Sequence, residues 1–160
     1  MSQLHVVFRV AGAEYALPAA LVLQLESYAG ATPVPGTAPH VAGIVQVRGR
    51  VVPVIELRAL FGEPPVERTL DTRVVVVALA SRSVALVVDS SRDVISIDPA
   101  QVQLAPEVIS EQSNGYVQAI AQVGPRLILL LDLGKVVGER QHDDSNALDS
   151  QRPGIRALPG

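Results

Sequence analysis

The 160-residue sequence contains no cysteine, and aromatic residues make up only 3% of it. Without cysteine the chain can form neither a disulfide framework nor a thiolate metal site, and it fits a reducing cytoplasm. Proteins that bind single-stranded nucleic acids usually combine a basic groove with stacking aromatic rings. This chain has few rings, a net charge of −3 and scattered positive residues, so the composition argues against a nucleic-acid partner.

Long hydrophobic runs are also missing, because charged residues and prolines interrupt every apolar stretch before it could cross a bilayer. Residues 1–20 lack the basic start and small-residue cleavage site of a secretory signal. Apolar residues nevertheless make up 48% of the chain, and many are Val, Ile and Leu in short runs that favour strands. We therefore expect one domain, or two small units sharing a core, without membrane insertion.

A twelve-residue segment at 46–57 recurs in altered form at 122–133, and a second match aligns residues 6–17 with 75–86. The turns inside the first pair differ, because Arg48-Gly49 is replaced by Gly124-Pro125. The repeat predicts two similar all-β units of about five strands each. Sheets this small bury both faces by curling into barrels. Chance similarity between Val-rich strands is the alternative that the sequence leaves open.

The predicted units span about residues 15–70 and 74–132 within one domain at 1–138, and an exchange of terminal segments between them stays open. The continuous apolar run at 73–80 predicts a strand buried on both faces. Short helical turns are expected near 58–61 and 134–138, and residues 98–115 are interpreted as a loop. The polar residues 139–160 are predicted to form a flexible tail.

Catalytic and metal-binding patterns are weak throughout the sequence. No nucleophile elbow and no glycine-rich phosphate loop is present. Asp89 and Asp93 bracket the residues 90–92, and a structural Asx-type turn explains them better than a catalytic pair does. No catalytic residue, metal or cofactor is therefore predicted. Three histidines also lack metal-ligand spacing: His5, His40 and His142.

Four positions in the first repeat have a more specific interpretation. Arg48 lies in a short loop between apolar strands, where a guanidinium can form paired hydrogen bonds with a partner, or simply be solvated. Gly49 permits backbone angles that other residues resist. Pro53 cannot donate a ladder hydrogen bond, which indicates a strand edge or a bulge. Alternation places Val22 on the opposite sheet face from the apolar residues 23 and 25, so both faces of that strand need cover.

The segment 43–58, Gly-Ile-Val-Gln-Val-Arg-Gly-Arg-Val-Val-Pro-Val-Ile-Glu-Leu-Arg, resembles the signature of CheW-like chemotaxis coupling domains. The start Tyr15-Ala16-Leu17-Pro18, the stretch 33–35 and the run 84–89 match that family in the same order. The resemblance covers about residues 4–138, and a motif of this length is far more specific than a short pattern. Gln46 and Glu56 depart from the usual Asn and Asp by one methylene each, which leaves partner choice open.

The resemblance implies two intertwined five-stranded SH3-like barrels and a non-enzymatic adaptor. Family members bridge methyl-accepting chemoreceptors to the histidine kinase CheA in cytoplasmic arrays beneath the inner membrane, and the kinase's regulatory domain has the same fold. Receptor tips bind the groove between the barrels. The family's receptor-contacting positions fall on Val22, Arg48 and Gly49, while Pro53 and Asp89 are expected to have structural turn or capping roles. An oligonucleotide-binding barrel and an unrecognised β-barrel hydrolase are the alternatives.

Overall fold

A computed structural model describes residues 1–138 of the chain, and the predicted tail at 139–160 lies outside them. The described part is mostly β-structure with three short α-helices, which confirms the all-β prediction. The strands are β1 (Gln3–Val10), β2 (Ala13–Pro18), β3 (Val22–Ser27), β4 (Val41–Val47), β5 (Arg50–Glu56), β6 (Arg73–Leu79), β7 (Arg82–Val88), β8 (Ser90–Ile97), β9 (Val102–Leu104), β10 (Val117–Val123) and β11 (Arg126–Leu131). The helices are α1 (Leu57–Leu60), α2 (Glu107–Gln112) and α3 (Leu133–Val137).

The strands form a five-stranded sheet in the order β3-β6-β7-β5-β4 and a six-stranded sheet in the order β8-β1-β2-β11-β10-β9. Each half of the chain contributes its first hairpin to the sheet of the other half. The sheets therefore do not follow the predicted boundaries 15–70 and 74–132. The exchange is closed by two parallel pairs, β2 with β11 and β5 with β7. Parallel pairs need long connections, so they join strands that are distant in sequence.

The two sheets share one plan, which supports duplication over chance similarity. Strands β3 and β8 hold equivalent places beside β6 and β1, and both pairs contain a register shift. The shift on β3 lies between Val22 and Gln24, and the one opposite β8 lies between Val7 and Phe8. The six-stranded sheet adds β9, whereas the five-stranded sheet has only the isolated bridge between Thr32 and Ile44 at that place.

Three hydrophobic clusters fill the interior of residues 1–138. The largest, here called the junction core, joins both sheets and includes Phe8, Leu17, Leu86 and Leu131. Two smaller clusters each fill the inner face of one curled sheet. On β6, Val75 and Val77 enter the junction core while the alternate residues, 74 and 76, enter the core of the five-stranded sheet. The predicted strand buried on both faces is therefore confirmed.

Residues 98–115 are not the loop that we expected. They contain a 3₁₀ turn at Pro99–Gln101, then β9 and α2. The turn begins at a capping box, in which the Asp98 carboxylate accepts from the Ala100 N–H at 2.8 Å and the Gln101 side chain accepts from the Asp98 N–H at 2.8 Å. Elements this short lack the periodicity by which sequence patterns are detected.

Pro53 also differs from expectation, because β5 is a central strand and its register shift lies elsewhere. Pro53 pairs with Ile44 on β4, and the parallel ladder with β7 begins one residue later, at Val54. The missing N–H therefore lies just outside that ladder, where its absence costs little. Within residues 1–138, no helix has the length and apolar character that a membrane span requires.

Candidate functional site

The hairpin between β4 and β5 has a two-residue loop, Arg48-Gly49, whose φ angles are 51° and 82°. Two consecutive positive φ values define the type I′ turn that fits the twist of a hairpin. Arginine rarely adopts this conformation, although the hairpin turn at Ala11-Gly12 has nearly the same angles, 51° and 85°. A Cβ added to Gly49 would meet nothing within 4 Å, so this glycine serves the backbone angle rather than the space.

Arg48 borders a groove of about 490 Å³ between β3 and β4. Its Nε lies 3.7 Å from Glu26 Oε2 on β3, and its side chain is 76% exposed. Ion pairs this exposed contribute little to stability, so the guanidinium stays available to a partner. Residues from both strands and from the segment before β4 line the groove, including Glu26, Ser27, Thr32, Ile44, Gln46 and Arg48.

Val22 lies at the start of β3, opposite Val77, and packs half-buried against the junction core. The register shift after Val22 brings Leu25 opposite Val75, on the same sheet face as Val22. The prediction from strict alternation was therefore wrong for Leu25, because one extra residue in a bulge reverses the pattern. Leu25 is 42% exposed, and Leu23 at the shift is 52% exposed.

Val22 and Arg48 do not share one pocket. Glu26, which contacts Arg48, is four residues beyond Val22, or about 13 Å along an extended strand. The two predicted residues therefore lie near opposite ends of β3. Between them this edge strand exposes two leucines, so we call Val22, Leu23, Leu25, Glu26 and Arg48 the β3 surface. Leu25 and Glu26 are neighbours on one strand and point to opposite faces, so the leucines and Arg48 share only the edge of β3. A helical segment that lies along this edge can contact the leucines with apolar residues and Arg48 with a carboxylate or free carbonyl oxygens.

Asp89 joins parts of the chain that are far apart in sequence. Its carboxylate accepts hydrogen bonds from Arg58 at 2.9 and 2.8 Å and from the Ala11 N–H at 2.8 Å. Burial raises the pKa of this carboxyl, but the hydrogen bonds and the Arg58 charge outweigh burial and lower its pKa overall. Residues 90–97 form β8, and Asp93 pairs with Arg126 at 2.8 Å. The predicted local turn at 90–92 was therefore wrong.

Two further titratable groups within the described residues have distinct surroundings. Burial, followed by the charge of Asp89, raises the pKa of Glu56 despite Arg58 and Arg68. His5 is buried with Nδ1 3.1 Å from the Gln3 carbonyl oxygen, and the predicted His142 lies outside the described residues. Among residues 1–138, no three His, Cys, Asp or Glu side chains cluster as metal ligands would.

Sequence reasoning missed two features of the β3 surface, the contact between Glu26 and Arg48 and the bulge at Leu23. Glu26 was not identified as the partner of Arg48, because β3 and β4 are the two opposite edges of the five-stranded sheet. They approach each other only because the sheet curls. The bulge at Leu23 carries no glycine or proline that would have marked it. The two exposed leucines were noted, but only the structure shows that neither sheet covers them.

Comparison with known proteins places this geometry in a family. The CheW-like domain matches residues 4–141. The chemotaxis protein CheW of Bacillus subtilis is 33% identical over 132 residues, which cover 82% of this chain and 85% of that protein. CheW of Klebsiella aerogenes is 28% identical over 141 residues, covering 88% and 85% respectively.

A solved structure shows the same fold. The scaffolding protein TtCheW from Thermoanaerobacter tengcongensis superposes with a TM-score of 0.77 at 28% identity, covering 82% of this chain and 90% of that one. The predicted role as an adaptor in chemotaxis signalling is confirmed by these relatives. Since the family match spans nearly all the described residues, the chain belongs to the CheW-like domain family.

Proposed function

We propose that this protein couples the cytoplasmic tips of methyl-accepting chemoreceptors to a CheA-type histidine kinase. It does so as a scaffold without catalysis, by holding both partners in one geometry. Receptor state and kinase activity are then linked by a coupling free energy between two binding sites. The protein works in the cytoplasm, at receptor arrays, and the kinase docks through its own barrel-like regulatory domain.

The β3 surface is the proposed receptor site, with Val22, Arg48 and Gly49 as its predicted contacts. One observation carries the proposal: Arg48 is exposed on a tight turn beside β3, an edge strand whose two leucines are uncovered. A receptor tip is a helical hairpin, which can place apolar side chains on Leu23 and Leu25. Its carboxylates or terminal carbonyl oxygens would accept from the guanidinium.

Charge reversal at the turn gives the most direct test. Arg48→Glu should weaken binding of a purified chemoreceptor cytoplasmic fragment at least tenfold, or about 1.4 kcal/mol, because a favourable charge contact becomes repulsive. Arg48→Asn removes the charge while keeping a residue that tolerates positive φ. Binding would be measured by pull-down and by titration calorimetry.

Arg50 offers a matched control, since it is exposed, carries the same charge and lies two residues away. Arg50→Glu should leave receptor binding within about threefold of the parent, a change under 1 kcal/mol. Equal losses in the two variants would mean that net charge, rather than the Arg48 turn, governs binding. Full receptor binding by Arg48→Glu would refute the assignment of Arg48.

A turn exchange separates side-chain chemistry from hairpin geometry. Replacing Arg48-Gly49 by Gly-Pro copies the turn of the second hairpin, where Gly124 has φ 62°. We expect a folded protein that still binds the kinase but no longer binds the receptor fragment. Array localisation of a fluorescent fusion should then persist only where the kinase recruits it. Loss of both interactions would show that the two sites are not separate.

A further inference from the structure

Four of the five aromatic residues in this aromatic-poor chain lie in one row. The centroids of Phe8 and Tyr15 are 6.3 Å apart, those of Tyr15 and Phe61 5.1 Å, and those of Phe61 and Tyr116 5.8 Å. The row begins on β1 and β2, passes the end of α1 and ends just before β10. It therefore joins residues from both halves of the chain along the junction core.

Packing alone does not require these rings. The repeat offsets, Tyr15 to Val84 and Gln46 to Gln122, give each ring an equivalent position in the other half. The equivalents of Phe8, Tyr15, Phe61 and Tyr116 are Val77, Val84, Val137 and His40. The three valines pack into the same junction core, so aliphatic side chains satisfy the fold at those places. The aromatic row is thus a property of one side of the molecule.

The outer end of this row borders a pocket of about 150 Å³, which we call the junction pocket. Since a water occupies about 30 Å³ of liquid, the space holds a group of a few heavy atoms. Three half-buried rings and one carboxylate contribute to its lining, and no lysine, arginine or histidine of residues 1–138 belongs to it. The nearby ammonium of Lys135 lies beside Gly115, where a Cβ would meet its Nζ at 2.8 Å. The lining is Tyr15, Leu60, Phe61, Glu63, Gln112, Ser113, Asn114, Tyr116 and Val117.

The carboxylate in this lining is uncompensated at short range. Glu63 forms no ion pair within 4 Å among residues 1–138, and its side chain is exposed at the pocket. Burial, followed by the charge of Glu63, raises the pKa of Tyr15, which indicates that this carboxylate acts on the ring hydroxyl. The charge of Arg58 also acts with Glu63, but its donors bind Asp89 and the Pro64 carbonyl oxygen.

Aromatic faces carry negative electrostatic potential and attract cations, most strongly organic cations whose apolar carbon also packs on the rings. A neighbouring carboxylate adds direct attraction, and amide oxygens of Gln112 and Asn114 can accept hydrogen bonds. A neutral apolar group would gain the ring contact but not the charge contacts. An anion would be repelled by both the rings and Glu63. The rings and the carboxylate of the lining therefore favour positive charge, and the Lys135 ammonium beside Gly115 opposes it.

We propose that the junction pocket binds an organic cation, either a guanidinium or a quaternary ammonium group, with Tyr15, Phe61 and Tyr116 as the aromatic wall and Glu63 as the counter-charge. This site is separate from the β3 surface, since the two share no residue. The cation has two sources, a free solute or the arginine side chain of a protein partner. The proposal does not depend on the receptor-binding role of Arg48.

Amide-resolved NMR titrations of the full chain test the proposal with two cationic probes, choline chloride and N-acetyl-arginine amide. Saturable shifts at Asn114 and Tyr116 are expected in the millimolar range, as single cation–π sites provide. The neutral isostere of choline, 3,3-dimethylbutan-1-ol, is the matched control for shape and should bind at least fivefold more weakly. Response to the arginine derivative alone indicates a partner side chain, and response to choline alone indicates a free solute. Both outcomes support a cation site.

Two variants locate the effect. Phe61→Leu keeps an apolar side chain and should weaken binding of both cations at least fivefold. Glu63→Gln should weaken binding of the cations and leave binding of the neutral isostere unchanged. Glu67→Gln, on the same exposed segment, is the control for charge. Because Glu63 is exposed, its variant stays informative even if Phe61→Leu fails to fold. Equal binding of choline and its neutral isostere, no shift by either cation, or unchanged affinity in Glu63→Gln would overturn the proposal.

Discussion

The two sheets share their strand plan but differ in how charge secures their hairpin ends. In the six-stranded sheet, Arg126 on β11 donates to Glu14 on β2 at 3.0 Å and to Asp93 on β8 at 2.8 Å. The equivalent positions in the five-stranded sheet are Arg50, Ser83 and Gln24. Arg50 is exposed, and the buried Oε1 of Gln24 has no hydrogen-bond partner within residues 1–138.

The charged side chains are thus held by internal ion pairs at one hairpin end of the molecule and exposed to solvent at the other. Three strands of the six-stranded sheet are tied together by one guanidinium, so that hairpin end is electrostatically satisfied. Within residues 1–138, the corresponding end of the five-stranded sheet has only the exposed pair of Arg48 with Glu26, and it presents Arg48 and Arg50 to solvent. Duplication supplied the same scaffold twice, and the two hairpin ends differ in whether their arginines are tied to carboxylates of neighbouring strands or exposed.

The largest expected effect concerns a position at which the two sheets do not tolerate the same residue. Gly43 has φ 140°, and a Cβ there would overlap the Thr32 carbonyl oxygen. The equivalent residue, Ala119, carries a Cβ without difficulty, because β9 replaces the close bridge. Gly43→Ala should lower the free energy of unfolding by about 3 kcal/mol or more, measured by urea denaturation. Ala119→Gly should cost only about 1 kcal/mol, and a tolerated Gly43→Ala would refute the close approach.

A smaller effect should follow from loosening the link between the halves. Asp89→Asn keeps an acceptor for the Ala11 N–H but removes the charge facing Arg58, and should cost about 2 kcal/mol at neutral pH. The lowered pKa of Asp89 means that this contribution is present above the unfolded-state pKa and is lost as pH falls through the folded-state value. Parent and variant should therefore converge in acid, below about pH 4.

Urea denaturation across a pH series measures this convergence. Asp98→Asn is the control, because Asn caps a helical turn about as well as Asp and should change stability by less than about 0.5 kcal/mol. A stability difference for Asp89→Asn that is independent of pH would show that the ion pair does not set it.

The comparison of the two hairpin ends predicts the smallest effect. Arg126→Gln should destabilise the protein by about 1 kcal/mol, because it unties Glu14 and Asp93, which are partly exposed. Arg50→Gln at the equivalent position should change stability by less than about 0.5 kcal/mol. Thermal unfolding at low and molar salt checks both, since screening should shrink only the Arg126 effect. Equal losses of stability in the two variants would contradict the claim that ion pairs hold only the hairpin end of the six-stranded sheet.

Much of this fold could be predicted from local pattern. The strand runs, the Arg48-Gly49 hairpin and the family signature at 43–58 were all readable, because period-two apolar patterns and turn residues are local signals. Residues 98–115 were not, since three- and six-residue elements carry too few positions to show a period. The location of Leu25 was missed for a related reason, as a single bulge residue reverses the face of everything after it.

Local sequence patterns were enough for the all-β class, the chemotaxis adaptor family and the Arg48-Gly49 turn, because each rests on residues close together in the chain. The duplication was detected by comparing two such local segments, 46–57 and 122–133. The three-dimensional fold was needed to show which hairpin joins which sheet, that Asp89 binds Arg58 and Ala11, and that four aromatic residues form one row that ends near Glu63. These features depend on contacts between residues tens of positions apart. Such contacts form when parallel pairing and burial bring distant strands together, and no local pattern records them.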